Sequence, residues 1–218
     1  MLNKLKKAAL VGSGLLVLAG CSSESADDAS VNSEAVGAET LVVGLDDTFA
    51  PMGFRDENNE IVGFDVDLAK AVGERIGAEI VFQPIDWAMK ETELDSGNID
   101  MIWNGYAITP ERAEKVLLSE PYIVDAQSII VLKDSAIETK ADLEGKLVST
   151  QQSSSSVDKI MEDESGIFGK LGGDLVLYPS NNNAFSDLES GRVDAIVVGE
   201  VYGRYYMKQS GKDIYRVL

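Results

Sequence analysis

Two spacings of apolar residues alternate along this chain. Short stretches rich in apolar residues occupy residues 41–43, 80–82, 99–103, 147–150, 175–178 and 193–198. Runs of this length, rich in Val and Ile, read as strands buried on both faces. Between them, apolar residues recur at helical spacing, as in Leu68, Val72 and Ile76, or Val157, Ile160 and Met161. The pattern predicts helices starting near Asp65, which is read as an N-cap, and over 87–96, 153–161, 184–188 and 201–207. Gly97 and Gly191 fall where a left-handed residue ends a helix. Thr109-Pro110 is a helix start with its cap and its first-turn proline in place. Residues 54–62 read as a hairpin turning at Asn58-Asn59, 122–132 as a long extended segment, and 214–218 as strand. Strands alternating with helices predict an α/β fold with parallel sheets and right-handed crossovers.

The first 39 residues follow another pattern. Lys4, Lys6 and Lys7 precede an apolar stretch over 8–18, too short to span a bilayer comfortably and of signal-peptide length. It ends in Leu18-Ala19-Gly20-Cys21, which is similar to the lipobox of bacterial lipoproteins and implies cleavage before Cys21 and a lipid on its sulfur. Residues 21–39 are rich in Ser, Ala, Asp and Glu without apolar periodicity, and read as a disordered tether.

Composition narrows the chemistry. The 218 residues are 44% hydrophobic and 26% charged, as in globular proteins, with a formal net charge of −18. That charge argues against nucleic acid and against electrostatic adsorption to anionic lipid. With no His and a single Cys, the chain cannot assemble a Cys/His zinc site, a Cys–His pair or a Ser-His-Asp triad. Nor does any loop have the ligand spacing of a calcium hand. No cofactor and no metal are expected.

Candidate chemistry lies in the loops after the apolar runs, where open α/β sheets bind ligands. Residues 44–54 (GLDDTFAPMGF), 61–70 (IVGFDVDLAK) and 103–112 (WNGYAITPER) follow one another in an order that resembles the extracellular solute-binding proteins of family 3, which serve polar amino acid ABC transporters. The resemblance runs from about Thr40 to the chain end. It implies a two-lobed, periplasmic-binding-protein-like fold of type II, with a mostly parallel sheet in each lobe. Lobe 1 would cover 40–127, and the crossover with lobe 2 would cover 128–218. Members of the family complete the first lobe with further C-terminal elements, so a fragment lacking them is expected here.

By the same resemblance, Arg112 is the group for a ligand carboxylate, its planar fork matching two oxygens at once. Backbone N–H groups of Gly105 and Ala107 would add donors, although the family commonly has Thr where Ala107 stands. Phe49 and Trp87 match aromatics that stack on the ligand, Asp46 an acid facing its amine or polar side chain, and Asn104 and Tyr106 line the same loop. In the second lobe Gln151, Ser154 and Ser155 match a donor-rich helix start. Each also has a plain structural reading: Arg112 as a surface charge, the aromatics as core, the serines as a turn. One departure stands out, for Gly199 occupies a position where the family usually has the Asp that holds the ligand's ammonium. Glu200 could compensate only through a local bend. The implied protein is a non-enzymatic monomer, lipid-anchored on the outer face of a bacterial cell membrane, which passes an amino acid to a transporter permease. A cyclohexadienyl dehydratase on the same fold and a sensor ectodomain are the alternatives.

Overall fold

The computed structural model describes residues 39–218, which lie within one compact unit. The leader, the tether and Cys21 fall outside the described residues. The elements in order are β1 (Thr40–Leu45), β2 (Thr48–Phe49), β3 (Gly53–Arg55), β4 (Ile61–Val62), α1 (Phe64–Ile76), β5 (Glu79–Pro84), α2 (Lys90–Asp95), β6 (Met101–Ile102) and α3 (Pro110–Lys115), then β7 (Gln127–Leu132), β8 (Val148–Gln151), α4 (Ser155–Met161), β9 (Val176–Tyr178), α5 (Asn181–Glu189), β10 (Ala195–Gly199), α6 (Glu200–Gln209) and β11 (Tyr215–Val217).

The first lobe holds a parallel sheet in the order β5-β1-β6 and, beside it, the antiparallel meander β2-β3-β4. The second holds a five-stranded sheet, β11-β7-β10-β8-β9, in which only β7 runs against its neighbours. Its parallel strands β8, β9 and β10 repeat the order of β1, β5 and β6, with the first strand in the middle each time. Two apolar layers sandwich this second sheet. On one face Phe185, Leu188 and Tyr202 of α5 and α6 pack on Ile130, Ile196 and Val198. On the other, Ile137, Leu143, Ile160 and Ile167 pack on Val131, Val148 and Val197.

Local chemistry explains most element ends. Thr109 caps α3 by accepting the Arg112 N–H at 3.2 Å, with Pro110 in the first turn. The hairpin turns at Asn59, whose φ is 66°, a conformation asparagine tolerates better than most residues. The stretch expected as one helix over 87–96 is a 3₁₀ turn at Trp87–Met89, capped by Asp86, that leads into α2. The N-cap of α1 is Gly63, not Asp65. At φ 136° and ψ 174° Gly63 has a backbone that excludes side chains, and a Cβ there would meet Met52 O. Asp65 sits inside the helix because its carboxylate is taken elsewhere, by Gly105 N–H and Tyr122 O–H.

Candidate functional site

The strands of both sheets bring their following loops to one cavity of about 890 Å³. Asp46 follows β1, the 103–112 loop follows β6, the serine run follows β8, and Gly199 ends β10. Eleven of the twelve residues singled out in the sequence line this cavity: Asp46, Phe49, Trp87, Asn104, Gly105, Tyr106, Ala107, Arg112, Gln151, Ser154 and Ser155. Glu200 does not. It opens α6 and accepts a hydrogen bond from Arg204 one turn on, at 2.5 Å, so no bend brings it back toward the cavity.

Arg112 is buried, with 6% of its surface exposed. Its guanidinium lies 4.3 Å from the Tyr106 ring centroid. Nη1 donates to Ala107 O at 3.1 Å and Nη2 to Ser153 O at 3.2 Å. A guanidinium carries five N–H groups, so roughly three remain for an anion. Tyr106 O–H donates to Glu91 Oε1 at 2.9 Å, and its ring meets Trp87 edge-on at 6.1 Å. Burial, then the bond to Glu91, push the Tyr106 hydroxyl far above the usual tyrosine range.

Asp46 and Asn104 form the floor on this side. Asp46 Oδ1 accepts from Thr48 N–H at 2.9 Å and Thr48 O–H at 2.6 Å, and Asp46 N–H donates to Asn104 Oδ1 at 3.2 Å. Asn104 is fully buried, and its Nδ2 has no partner among the described residues. That nitrogen has almost no exposed surface and lies against Gly53, where an added Cβ would meet it at 2.6 Å, so Asn104 acts here by holding the Asp46 backbone through its Oδ1. Gly105, expected to offer its N–H, gives it to Asp65 Oδ2 at 2.6 Å. It contributes its left-handed φ of 59° instead, which turns the chain toward Tyr106.

The second lobe answers across the gap. Gln151 Nε2 donates to Asp46 Oδ2 at 2.7 Å and to Pro179 O at 3.0 Å, while its Oε1 accepts from Asn181 Nδ2 at 3.1 Å. The Ser154 hydroxyl donates to Gln151 O at 2.8 Å, and the Ser156 hydroxyl to Gln127 Oε1 at 2.5 Å. Phe49 stacks on Tyr202, centroids 5.1 Å apart at 13°, so this aromatic joins the lobes.

Three lining or supporting groups escaped the sequence reading. Lys90 is 2% exposed and places Nζ 3.0 Å from Ser153 O, 3.2 Å from Trp87 O and 3.1 Å from Glu91 Oε2. Burial holds its amine below the usual lysine range. In the run Met89-Lys90-Glu91-Thr92 nothing distinguishes it from a solvated helix face. Asn181 and Asp125 also line the cavity. Asn181 follows strand β9 at a helix start, the same loop position that marked the other groups, and could have been found that way. Asp125 lies in the extended crossover, where sequence carries no such signal.

A sequence model of the bacterial extracellular solute-binding proteins, family 3, matches residues 41–187. The chain belongs to that family. The L-cystine-binding protein TcyJ of Escherichia coli strain K12 is 30% identical over 200 residues, 90% of this chain and 73% of that protein. The crystal structure of an ABC uptake transporter substrate-binding protein from Streptococcus pneumoniae with bound histidine superposes with a TM-score of 0.80 at 38% identity, covering 82% of this chain and 74% of that one. The ancestral amino acid-binding protein AncCDT-1, a precursor of cyclohexadienyl dehydratase, gives a TM-score of 0.74 at 34% identity over 82% of this chain and 76% of that one. The fold is accordingly the two-lobed, type II architecture of family 3, and the protein is of an extracellular or periplasmic class. No described helix is long and apolar enough to cross a membrane.

Proposed function

We propose that this chain captures a polar amino acid between its two lobes and delivers it to the permease of an ABC importer, held at the outer face of a bacterial membrane by lipid on Cys21. It binds its ligand as a monomer and does no chemistry on it. The observation that carries this reading is Arg112: a buried guanidinium with free N–H groups on the wall of a cavity between two lobes. A desolvated, preoriented cation of this kind is suited to a carboxylate and costly to keep otherwise. The aromatic walls from Trp87 and Tyr106 supply a flat surface for the rest of the ligand.

The test is thermal unfolding of the chain without its leader, against a panel of amino acids at millimolar concentration. A ligand at about 100 times its dissociation constant adds roughly 2.7 kcal/mol, which raises the midpoint visibly. One or two polar amino acids should do so, and Arg112→Ala should abolish the shift. A panel that leaves the midpoint unmoved, or an Arg112→Ala variant that responds like the parent, refutes the assignment.

A further inference from the structure

An α-amino acid whose carboxylate sits on Arg112 presents an ammonium to the opposite wall, and a buried ammonium needs an acceptor with a free lone pair. Asp46 has Oδ1 engaged by Thr48 and Oδ2 by Gln151. Asp100, whose Oδ2 accepts the Val42 N–H, stands before β6, at the opposite end of that strand from the loop that carries Arg112. Asp125 is placed differently. Its Oδ1 accepts the Val201 N–H at 3.0 Å, which caps the start of α6. Its Oδ2 reaches over Gly199 at the carboxyl end of β10, and a Cβ built on Gly199 would collide with that oxygen. Gly199 has φ −52°, an ordinary value, so the position uses the residue's small size and not its backbone freedom. Asp125, Gly199 and Val201 all line the same cavity as Arg112.

We propose that Asp125 is the carboxylate that receives the ligand's α-ammonium, and that Gly199 makes the room for it. This rests on the amino acid reading above. The charge reaches the end of β10 from the crossover segment, one strand over, while its other oxygen is fixed by α6. The arrangement selects ligands bearing an α-ammonium and fills the place that Glu200, turned to Arg204, does not.

The test uses a ligand and its analogue without the α-amino group: L-histidine with 3-(imidazol-4-yl)propanoic acid or, should the panel favour it, L-arginine with 5-guanidinopentanoic acid. Titration calorimetry compares the parent chain with Asp125→Asn, whose amide oxygen still accepts the Val201 N–H. Asp125→Asn should weaken the amino acid by about tenfold to a hundredfold, the worth of a charged hydrogen bond, and leave the analogue's affinity unchanged. Gly199→Ala, which displaces the same oxygen, should show the same selective loss. Equal weakening of both ligands would mark Asp125 as a helix cap only, and no weakening of either would also overturn the proposal. A parent chain that binds no amino acid overturns the functional reading itself, and this inference with it.

Discussion

At the scale of single residues, the site depends on groups whose hydrogen-bonding capacity is only partly used. Arg112 spends two of its donors on Ala107 O and Ser153 O and keeps the rest. Arg112→Lys therefore preserves the charge but loses the fork and the contact with the Tyr106 ring. We expect calorimetry to show affinity down by about tenfold or more, in keeping with the loss of one charged hydrogen bond. The sequence marked this arginine only through the resemblance of Thr109-Pro110-Glu111-Arg112 to the family's carboxylate-binding segment, since an arginine on a helix read alone is a surface charge. It could not identify Lys90, since burial of a lysine depends on a carbonyl from Ser153, distant in sequence and brought near only by the fold. It likewise assigned Gly105 a donor role that long-range pairing with Asp65 takes away.

At the scale of elements, strand and helix positions were legible because apolar runs and helical spacing report local burial. The boundary of α1 was not legible. An aspartate two residues into a helix looks like a cap in sequence, yet Asp65 reaches across to the loop after β6 and to Tyr122. Gly63 is the residue that begins α1, and Phe64 and Asp65 donate their N–H groups to Pro51 O and Met52 O. Gly63→Ala should lower stability by about 2 kcal/mol or more, through backbone strain and a clash with Met52 O. Gly77→Ala, at φ 74° but with open space around it, should cost only about 1 kcal/mol. Thermal melts of the two variants test the difference. Asp65 also makes a pH prediction. Burial raises its carboxyl above the usual range, against the opposing hydrogen bonds from Tyr122 and Gly105. Between about pH 4, where the unfolded side chain titrates, and the raised folded value, the native state holds more protons than the unfolded one. Acidification through that window should therefore add stability from this group, and Asp65→Asn should remove the gain from a plot of melting midpoint against pH.

At the scale of the whole molecule, the two lobes meet through few polar contacts, and Gln151 is the one most central to the cavity. Its amide ties Asp46 of the first lobe to Pro179 and Asn181 of the second. Lys90 and Arg112 converge on Ser153 O nearby, and Phe49 on Tyr202 closes the other side. The α/β alternation follows from local pattern, but the strand order and the register between lobes do not, and that register is set by these side chains and by whatever occupies the cavity. Gln151→Leu keeps the volume of a buried residue while removing all three hydrogen bonds. It leaves an oxygen of Asp46 and the amide of Asn181 without partners on the cavity wall, a cost paid chiefly when the lobes close and shed water. Each lobe's own core is untouched, since neither apolar layer of the second sheet includes Gln151. The expected result is a melting midpoint near that of the parent chain without ligand, an affinity lower by about tenfold to a hundredfold, and ligand-induced compaction in solution scattering that is reduced or lost. A variant that binds and compacts like the parent would show that closure is driven by the ligand's own contacts and the Ser153 carbonyl. One that melts much earlier would show that Gln151 supports the fold of β8 as well as the contact between lobes.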